Sequence, residues 1–130
     1  MVEEQHLEVL QNIESVIVGF YRQNPALTDY QVDSAMEALG RTYQREKTGG
    51  DPILPKNELA KGVFQAMKGI CDWRMGKVDM VDEEGDPMNV DNPLTPDEIQ
   101  VCLKRLRKSL STWNKQGGSQ GYLNYISQFL

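Results

Sequence analysis

Five carboxylates and two prolines fall within VDEEGDPMNVDNP, residues 81–93, and adjacent acids of this kind can assemble a divalent-cation site. The EF-hand arrangement needs oxygen ligands at loop positions 1, 3 and 5, glycine at 6 and a bidentate glutamate at 12. Setting Gly85 at position 6 puts Met80 at position 1 and Asp91 at position 12, so the register fails. A looser set of Asp82, Glu83, Glu84 and Asp86 is chemically conceivable, but strings of acids on an irregular strand are ordinarily solvated. The stretch therefore reads as a flexible acidic linker over about 77–94, and no metal or cofactor is assigned.

Other catalytic constellations fail on composition. A di-iron bundle site asks for two Glu-x-x-His pairs; Glu3 and His6 supply one, but His6 is the only histidine. The same shortage leaves a Cys-His or Ser-His nucleophile dependent on a residue in the first turns. Cys71 and Cys102, the only cysteines, both sit in apolar helical stripes, where burial raises a thiol's pKa and makes it inert. GGSQG at 117–121 lacks the Gly-Lys-Ser/Thr ending of a P-loop and follows no predicted strand. The helical acids Glu8, Glu14, Asp29, Asp33, Glu37, Glu58 and Asp72 form none of the paired Glu-x-x-Glu sets of magnesium pyrophosphohydrolases. An enzyme is the less favoured class, and no catalytic residue is assigned.

What remains is KRLRK at 104–108, joined by Lys115. Bases late in a helix that starts with Asp97 and Glu98 suit the helix dipole and keep an outer face wet. The same side chains also define a positive surface. Residues 1–98 hold all 19 acids and nine of the 14 bases, a charge of −10, whereas 99–130 hold five bases and no acid, a charge of +5. Such asymmetry bears on association rather than on fold.

The elements that must position these residues are helices. Over about 3–23, Leu7, Leu10, Ile13, Ile17, Phe20 and Tyr21 recur at steps of three and four, with Val16 and Val18 widening the face. Asn24-Pro25 ends that run. LTDYQ opens a second helix with a capping box, Thr28 paired with Gln31, and Val32, Ala35, Met36, Leu39 and Tyr43 mark its buried stripe. After the break at 47–52 a third helix covers about 57–75, with Leu59, Val63, Phe64, Met67, Ile70, Cys71 and Trp73 apolar and Gly76 as terminator. Gly62 and Gly69 share one stripe of it, which predicts either a second backbone crossing closely or tolerated glycine facing water. LTPDE opens the fourth helix with Thr95 as cap, Pro96 at the first position and Glu98 completing the box. Its apolar stripe is Ile99, Cys102, Leu103, Leu106, Leu110 and Trp113, and Gln116-Gly117-Gly118 is read as its stop. A short amphipathic fifth helix, 121–130, carries Tyr122, Leu123, Tyr125, Ile126, Phe129 and Leu130 and is expected to dock on the bundle. The starts NPALTDYQ and NPLTPDE echo one another; a capping box before an apolar stripe is general helix grammar, though duplication of a helical hairpin gives the same pattern.

These segments predict an all-α fold: four main helices and a short fifth in a single domain over 1–130, antiparallel where loops are short, with a long acidic connection between helices 3 and 4. A chain of 130 residues buries roughly two-thirds of its unfolded surface, enough for a core without disulfide or metal. No apolar run approaches the ~20 residues that cross a bilayer. The acidic, interrupted start MVEEQHLEVLQNIE has no secretory h-region, so a cytoplasmic location is expected and no membrane partner.

No motif set marks a known family. The function expected is that of a small, non-catalytic interaction or accessory protein using Lys104, Arg105, Arg107, Lys108 and Lys115 to meet an acidic protein partner, or a second copy through its acidic linker. One alternative is a nucleic-acid-associated regulator with Tyr122 and Tyr125 available for stacking, although a net charge of −5 makes a poor polyanion trap. The other is a helical enzyme with a carboxylate-bound divalent metal.

Overall fold

The computed structural model describes residues 2–128, with the side chains of 2, 3, 5, 113, 114 and 117–120 excepted. It is all-helical: α1 (Val2–Gln23), α2 (Asp29–Glu46), α3 (Glu58–Arg74) and α4 (Pro96–Ser127). Among the described residues strand pairing is limited to one isolated bridge, Val81 with Pro87. No helix of this set is long and apolar enough to cross a membrane.

The helix starts are set by local chemistry. Thr28 and Thr95 each accept from the amide three residues on while Gln31 and Glu98 reach back, so both capping boxes form. Asn57 caps α3 through Ala60 N at 3.0 Å. At its other end Gly76, with φ of +75°, donates to the Trp73 carbonyl, a backbone state in which glycine carries no Cβ penalty.

The predicted stripes of α2 and α4 are buried without exception among the described side chains: Val32, Ala35, Met36, Leu39 and Tyr43 face Ile99, Cys102, Leu103, Leu106 and Leu110 across one core. Trp113, Phe129 and Leu130 lie outside the described side chains. In α1 the fully buried residue near the start is Val9, while Leu7 is 45% exposed on the flank of the stripe. Val16, Phe20, Leu59 and Ile70 are partly buried against the core rather than inside it.

α1 and α2 each pack against both α3 and α4 and far less against each other. The order around the core is therefore α1, α3, α2, α4, with α3 and α4 at opposite corners. Asp33 meets Arg107 and Gly40 meets Gln100, so α2 and α4 are antiparallel. α2 and α3 run parallel: Tyr43 bonds Asp72 and Glu46 bonds Lys77 at one end, while Ala38 and Ala60 share a groove nearer the other. This orientation is possible because residues 47–57 run back along α2. Ile53 N donates to Thr42 Oγ1 at 3.0 Å, tying that return to the helix.

α4 is not straight. Glu98 contacts His6, yet Tyr122 lies beside Glu14 and Tyr21. Those α4 positions are roughly 36 Å apart along a straight helix, whereas His6 and Tyr21 are only about 22 Å apart on α1. Ser109 and Tyr125 also line one groove of about 250 Å³ with Leu7 and Glu14. The chain therefore turns back between 112 and 121. Helical hydrogen bonding continues through the expected stop at 116–118, so Gln116-Gly117-Gly118 produce a bend instead of a break. Two causes coincide there: glycine with serine, a common site of helix kinks, and the Thr112 hydroxyl donating to the Lys108 carbonyl at 2.9 Å, a back-bond that bends helices. The returning limb is the expected fifth helix, and Tyr122 and Ile126 dock it in the core.

Of the two alternatives at Gly62 and Gly69, tolerated glycine facing water holds at Gly69, and a crossing backbone at neither. A Cβ on Gly62 would meet the Phe20 ring at 3.3 Å, and one on Gly69 would meet nothing within 4 Å, so no backbone crosses at either. The tight contact is at Gly40, where a Cβ would lie 3.0 Å from Gln100 Oε1. That amide also donates to the Gly40 carbonyl. Gly69→Ala is accordingly expected to raise the unfolding free energy by about 0.5–1 kcal/mol. Gly40→Ala should gain nothing, because the propensity benefit is offset by displacing Gln100. Urea denaturation of the two variants checks the contrast.

Candidate interaction face on the fourth helix

The 100° step of an α-helix separates the five bases into three directions. Lys104 and Lys108 fall within about 40° of one another, opposite the buried stripe, Arg105 and Arg107 point to either side, and Lys115 follows beyond Thr112, where the helix bends. Contacts follow that division. Arg107 turns toward α2 and holds Asp33 with both Nε (2.9 Å) and Nη2 (3.2 Å), with Glu37 at 3.6 Å. Donating to the Asp33 carboxylate raises the Arg107 pKa further above its already high value. Arg107 thus ties α2 to α4. Arg105 lies at the edge of the α1–α4 groove beside Leu7, Gln11 and Ser109.

Lys104, Lys108 and Lys115 are exposed and, among the described residues, make no ion pair. The exposed Val101 (48%) lies on the same stripe. Lys108 and Lys115 also rim an open groove of about 590 Å³ between α2 and α4, with Asp29, Tyr30, Asp33 and Ser111 on the facing wall and rim. Tyr30 is 80% exposed. The sequence showed Tyr30 only as a residue inside the Thr28–Gln31 capping box; that it flanks the basic face follows from the α2–α4 pairing, which no local pattern encodes.

Several candidate residues are used structurally. His6 Nε2 lies 3.2 Å from Glu98 Oε2, and the other Glu98 oxygen closes the Thr95 capping box. The backbone bond at Thr95 holds the Glu98 carboxyl below the usual glutamate range. Cys71 and Cys102 are both buried, and burial pushes each thiol up. Tyr122 is fully buried and Tyr125 is partly buried against the core, so the ring offered for base stacking at 122 is inaccessible.

The acidic stretch is shaped into a hairpin. Met88 N donates to Met80 O at 2.8 Å and Asp82 N to Asp86 O at 2.9 Å, while Gly85 turns the chain with φ of +84°. One Asp82 oxygen accepts from the amides of Glu84 and Asp86, both at 2.9 Å. At the base, Trp73 Nε1 donates to the Met88 carbonyl at 2.7 Å. Among the described residues no three His, Cys, Asp or Glu side chains are grouped to hold a metal ion.

Comparison with protein-family models, with curated proteins and with solved structures finds no match to this chain.

Proposed function

We propose that the protein is an interaction module, without a catalytic centre of its own, that presents the outward face of α4 to an acidic protein surface. The observation that supports this reading is the set of Lys104, Lys108 and Lys115: three exposed ammonium groups that make no ion pair among the described residues, in a chain whose other bases are largely engaged, among them Arg107 with Asp33, Lys68 with Asp72, Arg74 with Glu8 and Lys77 with Glu46. Unpaired like charges on one stripe raise the local positive potential and favour encounter with a negative surface. Tyr30 at the rim of the adjoining groove adds the kind of aromatic that anchors interfaces.

The probe is a fluorescently labelled peptide of alternating glutamate and tyrosine. It is expected to bind the wild type, and binding should weaken about tenfold or more when salt rises from low ionic strength to above roughly 0.3 M, where exposed charges are screened within a few ångströms. The triple variant Lys104→Gln, Lys108→Gln, Lys115→Gln should lose that binding while retaining its helical circular dichroism. Equal titration curves for wild type and variant would refute the reading. The nucleic-acid alternative loses Tyr122 as a stacking platform, and Asp29 and Asp33 in the adjoining groove oppose a phosphate backbone.

A further inference from the structure

The acidic hairpin is held by its own hydrogen bonds and by Trp73, and among the described residues its tip acids make no ion pair. Its base is pinned by the Trp73 indole, its ladder by the Met80–Met88 pair and its tip by the Asp82 side chain. This is more order than a solvated charge run needs. The tip shows Glu83, Glu84 and Asp86 to solvent together with Val81, which is 61% exposed; Met88 is 36% exposed beside them. Negative charge around an exposed apolar residue is the complement of the α4 face, where Lys104 lies one turn from the exposed Val101 and Lys108 one turn further on.

Pairing within one molecule is blocked by the fold. The hairpin rises from the end of α3 beside the start of α1, and α3 and α4 stand at opposite corners of the bundle. With neighbouring axes 8–10 Å apart, the diagonal and the outward-pointing lysines put the two patches roughly 20 Å apart. The stem is tied to α3 by Trp73, which holds the hairpin on that side of the bundle.

We propose that the occupant of the α4 stripe is the hairpin tip of a second copy of this chain, an inference that rests on reading that face as a docking surface. The two patches are different surfaces, so the contact is heterologous: each copy offers one hairpin and one stripe, and copies add head to tail into a ring or an open row. The tip places its carboxylates against Lys104 and Lys108 and Val81 against Val101, with Lys115 adding positive charge beyond the contact.

Sedimentation velocity tests this with two variants that leave the core untouched: one carrying Glu83→Gln, Glu84→Gln and Asp86→Asn, the other Lys104→Gln, Lys108→Gln and Lys115→Gln. Wild type should associate as concentration rises at low ionic strength and dissociate in high salt. Each variant alone should remain a monomer. Their equimolar mixture should form a species of twice the monomer mass and grow no further, because each variant keeps one working patch. Wild type that stays monomeric at all concentrations, or variants that associate like wild type, would overturn the proposal. If wild type is monomeric yet binds the glutamate–tyrosine peptide through the lysine stripe, the docking face stands and only the second-copy assignment falls; failure of both measurements removes both.

Discussion

Tyr122→Ala should lower the unfolding free energy by about 4 kcal/mol, the cost of removing a large ring from a packed interior. Tyr122 is fully buried, beside Glu14 and Tyr21, in the segment whose apolar pattern predicts docking on the bundle. An undocked tail would show almost no change, so equilibrium urea unfolding separates the cases directly. Tyr122→Phe should go the other way. Among the described residues the buried Tyr122 hydroxyl has no hydrogen-bond partner, and an unsatisfied buried hydroxyl costs about 1–3 kcal/mol. Removing the oxygen alone is therefore expected to gain about 1 kcal/mol, and the opposite signs at one position fix both the burial of the ring and the isolation of its oxygen.

Asp72→Ala should cost about 2–3 kcal/mol, chiefly through the group it abandons. The Asp72 carboxylate takes a 2.8 Å bond from the Tyr43 hydroxyl and a 2.6 Å bond from Lys68 Nζ. Lys68 is partly exposed and can turn to water, but Tyr43 is fully buried. Without Asp72 its hydroxyl keeps only a 3.4 Å approach to the Lys68 carbonyl. Asp72→Asn retains an acceptor and should cost about half as much. A double-mutant cycle with Tyr43→Phe is expected to return a coupling of about 1–2 kcal/mol, because the two single changes break the same bond; additivity would show that the pair contributes nothing specific.

These effects mark the boundary between what was legible in the sequence and what was not. Both capping boxes, the Asn57 start, the Gly76 terminator and the stripes of α2 and α4 are encoded by residues within a turn or two of one another, and all were readable from spacing alone. The four-helix core follows from them. Sites that depend on which helices adjoin were not readable. Asp72 appears in the sequence as one more helical acid, and only the parallel packing of α2 and α3 brings Tyr43 to it. Arg107 reads as one of five similar bases until α2 supplies Asp33. Gly40 drew no notice because nothing local distinguishes it, whereas Gly62 and Gly69 drew notice through a shared stripe that meets no backbone. The glycine pair at 117–118 signals a change of direction correctly, but composition does not decide whether helical hydrogen bonds survive the turn. In the acidic segment, composition reported charge; the hairpin needs Trp73, supplied by α3.

The diagonal placement of α1 against α2 and of α3 against α4 carries a kinetic consequence. Residues that clasp the bundle together are remote along the chain: Glu8 with Arg74, Asp33 with Arg107, Gly40 with Gln100. A simple up-and-down bundle can zip from one local helical hairpin to the next, but here α1 finds its lasting neighbours only after long stretches of chain have closed. Loop-closure entropy precedes the reward of those contacts, so the polypeptide should collapse more slowly than its helical content suggests, and a nascent chain must wait for α4 before most of its interior is sealed.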